Sequence, residues 1–296
     1  MTEPMSHSLI LIAPHGSRAL DPALLARIAA ATQAGPPRIL AEHEAAELPC
    51  ATPPDLDALA AAIANHPIDA VLLPAANRRK RLLIADMDST IVTGETLDEL
   101  AAFAGVGDRV AAITKRSMNG ELDFSAALRE RVALLQGLAL DALDQTWKGV
   151  HLTPGARTLV ATMRANGATT ALVSGGFTWF TSRVAALCGF DVNRANTLID
   201  DGATLNGQVT EPILDRRAKL STHNELAATH GLALDDCLAV GDGANDLDMI
   251  RAAGLGVAYH AKPIVAAEAR ACIRHADLRA LLYLQGYTAA EFIGDD

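Results

Sequence analysis

Apolar and polar positions follow two different rhythms along this chain, and the change divides it into two parts. In the first part, short apolar runs at 8–13, 38–42, 44–49 and 68–74 alternate with two segments of helical spacing, 21–33 and 53–66. Asp21 precedes Pro22 at the start of the first helical segment, a common arrangement at a helix N-terminus. The predicted order is βαββαβ, a split βαβ unit. We therefore expect a small α+β domain over residues 1–78.

From residue 82 onward, apolar strands alternate with longer helical segments. The predicted strands are 82–88, 168–174, 237–242, 255–259 and 271–275, with a hairpin over 196–210. The predicted helices between and after them are 157–166, 217–230, 246–253, 262–270 and 277–285. This alternation favours a parallel α/β sheet with right-handed crossovers over residues 79–296.

Two segments interrupt this pattern. Residues 97–147 are mostly helical and follow the first strand directly, so they predict an inserted helical cap at about 95–152. The basic run Arg78-Arg79-Lys80-Arg81 precedes the same strand, and we interpret it as a solvated linker.

Composition excludes several classes of protein. Half of the 296 residues are hydrophobic and one fifth are charged, which excludes disorder over most of the chain. The net charge of −10 argues against nucleic acid or an anionic membrane as a partner. The N-terminus has no basic segment typical of a signal peptide, and no apolar stretch reaches the length of a membrane span, so we expect a cytoplasmic protein. The four cysteines are far apart, which predicts buried, reduced thiols: Cys50, Cys188, Cys237 and Cys272.

Four carboxylates follow two of the predicted strands. Asp86 and Asp88 end the strand at 82–88, and Asp242 and Asp246 follow the strand at 237–242. The carboxyl ends of parallel strands meet at one edge of a sheet, where ligands bind. Crowded carboxylates repel each other unless a cation lies between them, and oxygen-only ligands suit Mg²⁺. A magnesium site is expected at this edge.

Groups that suit an anion follow a third strand and open a helix. The turn Ser174-Gly175-Gly176 offers backbone N–H groups and a hydroxyl, and Lys219 adds a positive charge near a predicted helix start. A metal, an anion cradle, a cation and spare carboxylates together indicate phosphoryl transfer, in which a carboxylate can be the nucleophile. Competing motifs fail on spacing, since Ile91 stands where a calcium-binding loop needs glycine and no Walker A loop is present.

These motifs resemble a known family. DMDST (86–90), SGG (174–176), the isolated Lys219 and GDGAND (241–246) are similar to the four motifs of the haloacid dehalogenase superfamily of phosphatases. The segments 86–95, 117–135, 171–177, 195–198 and 241–250 further resemble the phosphoserine phosphatases within it. The resemblance covers about residues 80–287. It implies a Rossmann-like parallel sheet with a helical cap, and Mg²⁺-dependent hydrolysis of O-phospho-L-serine through an aspartyl-phosphate, the last step of serine biosynthesis.

The resemblance also implies roles for the acidic residues. Asp86 would be the nucleophile, and Asp88 the general acid and then the general base. Mg²⁺ would bind the Asp86 carboxylate, the backbone carbonyl of Asp88 and Asp242, with Asp246 nearby. A phosphotransferase that passes the phosphoryl group to another alcohol, such as homoserine, stays open as an alternative because water and an alcohol would use the same Asp88. A catalytically silent binding module would lack a nucleophile or a metal ligand, and here neither is missing.

The expected contacts to the substrate come from core and cap. The phosphoryl group would be held by Ser174, the Gly175 N–H, Lys219 and Asn245. The cap would supply Glu95 for the substrate ammonium, Arg131 for its carboxylate, and Phe124 and Met118 as an apolar cover. A planar guanidinium suits a carboxylate because it binds both oxygens.

The N-terminal unit resembles the ACT regulatory domains by its ferredoxin-like element order, but by no motif. No ligand is therefore assigned to it. The expected alternatives are a surface that forms a homodimer and a module that only packs against the rest of the chain.

Overall fold

The computed structural model describes residues 6–118 and 121–294. The first part of the chain forms a four-stranded antiparallel sheet in the order β2-β3-β1-β4. Its elements are β1 (His7–Ile12), α1 (Pro22–Thr32), β2 (Arg38–Ala41), β3 (Ala45–Cys50), α2 (Leu56–Ile63) and β4 (Asp69–Pro74). The predicted βαββαβ order is confirmed. Asp21 caps α1 by accepting a hydrogen bond from the backbone of Leu24.

Strand β1 is buried on both faces. Leu9 and Leu11 pack with the helices of the N-terminal sheet, whereas Ile10 and Ile12 belong to the large core shared with the rest of the chain. Alternate residues of a strand point to opposite faces, so a continuous apolar run is what a doubly covered strand requires. The N-terminal sheet is therefore packed firmly against the second part.

The second part is built on a parallel sheet of six strands in the order β12-β11-β10-β5-β6-β7. Its strands are β5 (Leu82–Ala85), β6 (Thr169–Phe177), β7 (Val192–Asn196), β10 (Cys237–Gly241), β11 (Leu255–Tyr259) and β12 (Ala271–Ile273). Its helices are α7 (Ala156–Ala165), α8 (Thr178–Cys188), α9 (Arg216–Thr229), α10 (Leu247–Ala252), α11 (Pro263–Ala266) and α12 (Ala280–Leu284). The predicted α/β class with a parallel sheet is confirmed.

Four helices form the expected insertion after β5. They are α3 (Thr96–Phe103), α4 (Gly107–Met118), α5 (Phe124–Ala133) and α6 (Asp141–Trp147). The two connections to the core run side by side, since Val92 bridges to Leu152 and the Thr93 N–H donates to the carbonyl of His151. The hairpin β8 (Leu198–Asp200) and β9 (Leu205–Val209) extends from the core to meet the segment after α5.

The interpretation of residues 78–81 as a solvated linker was wrong for Arg78 and Lys80, whereas Arg79 and Arg81 are exposed as expected. The Arg78 guanidinium pairs with Glu47 and donates to the carbonyls of Tyr283 and Leu284. Lys80 is also buried, and its ammonium group donates to the carbonyls of Asn77 and Asp235. These cations satisfy main-chain acceptors where the two sheets meet, a contact that a local charge pattern does not reveal.

Other differences are smaller. Strand β7 was not predicted, because as an edge strand of mixed polarity it has no clear apolar rhythm. The helix expected at 262–270 is limited to α11, Pro263–Ala266. Three of the four cysteines are buried as expected, Cys272 is half-buried, and all four are free. Within the described ranges, no helix is long and apolar enough to cross a membrane.

Candidate active site

The turn after β5 places Asp86 at the edge of the sheet. The Asp86 N–H donates to the Val240 carbonyl on β10, and its carboxylate Oδ1 accepts from the Met87 N–H at 2.8 Å. Ser89 takes a left-handed conformation with φ of 53°, which turns the chain away from the strand. The Asp86 side chain is thereby buried at the point where β5 and β10 end.

Lys219 lies beneath Asp86. Its ammonium group is 2.7 Å from Asp86 Oδ1 and 2.6 Å from Asp246 Oδ1, and the lysine is 1% exposed. Burial alone would lower the pKa of Lys219, but Asp246 and Asp86 outweigh burial and raise it. The lysine therefore stays charged and compensates part of the negative charge of the site.

Asp86, Asp242 and Asp246 form a cluster in which one carboxylate oxygen of each lies within 4.8 Å of the others. Burial, with Asp86 second, raises the pKa of Asp242 and raises that of Asp246 to about 8. Asp246 uses Oδ1 for Lys219 and accepts from the Gly243 N–H at Oδ2, which fits a supporting role behind the other two. One lysine does not compensate three carboxylates, so the oxygen-only donor set fits a divalent cation.

The Asp88 carboxylate is not part of this cluster among the described residues. Asp88 Oδ1 accepts a hydrogen bond from the Thr96 N–H at 3.0 Å, at the start of the cap. Burial and, next, the negative charge of Glu95 raise the pKa of Asp88 to about 8. A carboxyl with this pKa holds a proton near neutral pH, as a proton donor requires.

The Ser174-Gly175-Gly176 turn extends β6 at the same edge. The Ser174 hydroxyl oxygen accepts from the Gly176 N–H at 2.9 Å. A Cβ added to Gly175 would lie 2.8 Å from the ring of Phe124, and one added to Gly176 would lie 2.8 Å from Asp88 Oδ2. Glycine at 175 lets the cap residue Phe124 approach the core, and glycine at 176 leaves room for the Asp88 carboxylate.

A cavity of about 410 Å³ lies between the sheet edge and the cap. The predicted site residues that line it are Asp86, Asp88, Glu95, Phe124, Arg131, Ser174, Gly175, Asp242 and Asn245. Lys219 and Asp246 lie behind its wall, where the Lys219 ammonium contacts both Asp86 and Asp246. Met118 is the last residue of α4, and the position of its side chain lies outside what the structure describes.

Glu95 and Arg131 bring opposite charges to the cap side of this cavity. Glu95 Oε1 accepts from the Ser89 hydroxyl at 2.7 Å, and burial raises the pKa of the Glu95 carboxyl. The Arg131 Nε–H donates to the Ala127 carbonyl at 3.3 Å, and burial lowers the pKa of the guanidinium. The cavity thus offers one anionic and one cationic group beyond the acidic cluster.

Comparison with known proteins agrees with this geometry. A family model for haloacid dehalogenase-like hydrolases matches residues 83–251. The chain belongs to this family. It is 42% identical over 252 residues to a phosphoserine phosphatase of Streptomyces coelicolor, a match that covers 83% of this chain and 62% of that protein. The chain spans 54–62% of the length of the first curated relatives it matches.

Solved structures extend the comparison to the fold of this haloacid dehalogenase-like hydrolase. The phospho-aspartyl intermediate analogue of a phosphoserine phosphatase is 40% identical, with a TM-score of 0.65 over 69% of this chain and 98% of that one. A probable phosphoserine phosphatase from Vibrio cholerae is 30% identical, with a TM-score of 0.80 over 98% of this chain and 90% of that one. The second match includes the N-terminal sheet.

The cavity of the hydrolase also contains residues to which the sequence alone assigned no role, namely Leu97, Thr114, Ser117, Leu128, Arg216, Ala244 and Lys262. Arg216 makes a two-pronged ion pair with Asp248. Lys262 lies 3.9 Å from Asp242 Oδ2. The position of Arg216 near the site was predictable from its spacing, since it lies three residues before Lys219 and therefore on the same face of the helix.

Proposed function

We propose that this chain is a phosphoserine phosphatase that hydrolyses O-phospho-L-serine to L-serine and phosphate. The observation that carries the proposal is the cavity, in which Asp86 and the 174–176 turn share one space with Glu95 and Arg131. Phosphoserine has a phosphate, an ammonium and a carboxylate, and these groups match the sheet edge, Glu95 and Arg131 in turn. The relatives named above support the same activity.

The reaction would proceed in two steps. The Asp86 carboxylate forms a bond to phosphorus while the bond to the seryl oxygen breaks, and Asp88 gives its proton to that oxygen. In the second step Asp88 takes a proton from water as the water oxygen bonds to phosphorus, which releases Asp86 and phosphate. The raised pKa of Asp88 suits the first role, and the hydrogen bond from the Thr96 N–H holds its carboxylate at the wall of the cavity.

Residues at the edge of the sheet would bind the phosphoryl group. Ser174, the Gly175 N–H and Asn245 would hold phosphoryl oxygens. Lys219, which was expected to hold one as well, pairs with Asp86 and Asp246 behind the cavity wall and would instead balance the charge of Asp86. Phe124 would cover the site from the cap, in contact range of Gly175. We extend the apolar cover to Met118 on the resemblance alone.

Mg²⁺ is the ion we propose for the acidic cluster. Asp86, Asp242 and the backbone carbonyl of Asp88 would hold it, and Asp246 would support it through Lys219 and Gly243. The bound ion supplies positive charge to the phosphoryl oxygens and lets the two carboxylates remain ionised. Buried oxygen donors without nitrogen or sulfur favour Mg²⁺ over softer metals.

A screen of phosphomonoesters with and without Mg²⁺ tests this proposal. We expect phosphate release from phosphoserine that depends on Mg²⁺ and is abolished in Asp86→Asn. Added serine or homoserine tests the transferase alternative, which requires a new phosphorylated alcohol in place of free phosphate. No release from phosphoserine, or full activity in Asp86→Asn, would refute the proposal.

We also propose a division into an N-terminal domain (1–78) and a phosphatase domain (79–296) with a cap at about 95–152. An apolar cluster confined to the N-terminal domain and the antiparallel connections at 92–93 and 151–152 support these boundaries. Four free thiols fit a reducing compartment such as the cytoplasm. A homodimer through the N-terminal domain stays a proposal that light scattering would test.

A further inference from the structure

Asp69 joins the N-terminal sheet to the phosphatase core. It is the first residue of β4, it is 4% exposed, and its carboxylate accepts three consecutive backbone N–H groups from the other domain. The donors are Arg274 to Oδ1 at 2.9 Å, and His275 and Ala276 to Oδ2 at 3.0 and 2.9 Å. One side chain thus fixes the backbone of the segment that follows β12.

That segment contacts one wall of the active-site cavity. The Ala276 carbonyl is 3.0 Å from His260 Nε2, and the His260 N–H donates to the Ile273 carbonyl. Two residues later, the Lys262 N–H donates to the Asp242 carbonyl, and the Lys262 side chain lines the cavity. Hydrogen bonds at His260 and at Lys262, joined by the chain between them, therefore connect residues 273–276 to the wall that carries Asp242.

The same segment also contacts the base of the cap. The Leu278 N–H donates to the Pro154 carbonyl at 3.1 Å. A Cβ on Gly155 would lie only 2.6 Å from the Arg279 backbone nitrogen, so the two segments pack too closely for a side chain at residue 155. Pro154 and Gly155 directly follow the connection through which the chain leaves the cap. The position of this connection therefore depends on residues 276–279.

We propose that Asp69 is a positioning residue for the reaction. Through it, the N-terminal domain fixes the base of the cap and the cavity wall that carries Lys262 and Asp242. Asp69 touches no substrate. Its removal would loosen residues 274–279, so the cap with Arg131 would sit less accurately over the phosphate site. The proposed phosphoserine activity enters this inference only in the choice of substrates for the kinetic test.

The kinetic test compares Asp69→Asn with Glu47→Gln. Asparagine has nearly the same shape but only one acceptor oxygen, and its NH₂ group opposes the N–H donors. Glu47 is the matched control because it pairs with Arg78, the last residue of the N-terminal domain, whose guanidinium donates to the Tyr283 and Leu284 carbonyls of the phosphatase domain, outside the 274–279 segment. The readout is kcat/KM for phosphoserine divided by kcat/KM for p-nitrophenyl phosphate, which has no carboxylate for Arg131.

We expect Asp69→Asn to lower this ratio about 3- to 30-fold, the range of coupling through a contact network, and Glu47→Gln to leave it within about 2-fold. A general loss of folded protein lowers both activities equally and leaves the ratio unchanged. An unchanged ratio in folded Asp69→Asn, or an equal fall in Glu47→Gln, would overturn the proposal. If Asp69→Asn does not fold, His260→Asn breaks the link to Ala276 at an exposed position, and it must lower the ratio.

Amide hydrogen exchange provides a readout without substrate. Peptides that cover 150–156 should exchange faster in Asp69→Asn than in the native chain, and at the native rate in Glu47→Gln. If the native protein does not hydrolyse phosphoserine, the proposed function fails while this measurement still decides the role of Asp69. Native exchange rates at 150–156 in Asp69→Asn would refute it.

Discussion

Replacing Lys219 by methionine gives a sharp test of the charge balance in the site. Lys219 is buried between Asp86 and Asp246, and the pKa of Asp246 is already raised to about 8, so without metal one carboxyl of the pair holds a proton near pH 7. Without the lysine, a second carboxyl must either stay charged in a dry environment or take up a proton. Removing one member of a buried ion pair costs about 3–5 kcal/mol.

Uptake of a proton by this second carboxyl sets the upper limit of the free energy lost when Lys219 is replaced. Protonating an aspartate whose pKa in the unfolded chain is near 3.9 costs about 4 kcal/mol at pH 7, because the pH lies about 3 units above that pKa. At pH 5 the same step costs only about 1.5 kcal/mol. The folded variant then holds two protons that its unfolded chain releases, one more than the folded native protein, so its stability falls more steeply as pH rises. We therefore expect the cost of Lys219→Met to shrink from about 4 to about 1.5 kcal/mol between pH 7 and pH 5.

Urea unfolding in EDTA at both pH values measures this cost. Lys262→Met is the matched control, because its ammonium is half-exposed and 3.9 Å from Asp242, and loss of an exposed pair costs about 1 kcal/mol or less. The reasoning is refuted if Lys219→Met costs under about 1 kcal/mol at pH 7, or if its cost does not decline toward pH 5.

Three further changes have defined outcomes. Arg131→Ala should lower kcat/KM for phosphoserine about 10- to 100-fold and that for p-nitrophenyl phosphate less than about 3-fold, since a charge-assisted hydrogen bond is lost only with the former; equal losses would contradict the assigned contact. Burial lowers the pKa of His223 to about 4, so the unfolded chain binds more protons between pH 4 and 6.5 and stability falls as pH drops through that window. His223→Leu should abolish up to about 3 kcal/mol of that drop in pH-dependent thermal melts, and an unaltered pH dependence would exclude the role of this histidine. Gly176→Ala would place a methyl group 2.8 Å from Asp88 Oδ2 and should reduce kcat at least about tenfold, while Gly107→Ala, which meets only ordinary contacts, should not; equal kcat values would contradict the close approach.

The acidic cluster was predictable because it depends on local pattern and one topological rule. Asp86 and Asp242 each follow an apolar strand, and parallel strands bring such positions to one edge. The buried position of Lys219 between two carboxylates was not predictable from its helix alone. Its role came from the resemblance, and its contacts came only from the fold.

The cap residues show the limit of sequence reasoning more clearly. Glu95 and Arg131 look like ordinary charged helix residues, and only the family resemblance singled them out. Arg216 and Lys262 were missed because each reaches the cavity through tertiary packing rather than through a motif. Arg78 was misinterpreted for the same reason, since its acceptors are Glu47 and carbonyls about 200 residues further along the chain.

The central claim is that Asp86 carries the phosphoryl group during turnover, and rapid acid quenching of the enzyme with phosphoserine and Mg²⁺ tests it most directly. Peptide mass spectrometry of the quenched protein should find a phosphoryl group on Asp86, absent when Mg²⁺ is omitted and absent in Asp86→Asn. Steady phosphate release with no phosphorylated Asp86 at any quench time, or a phosphoryl group on another residue, would contradict the account.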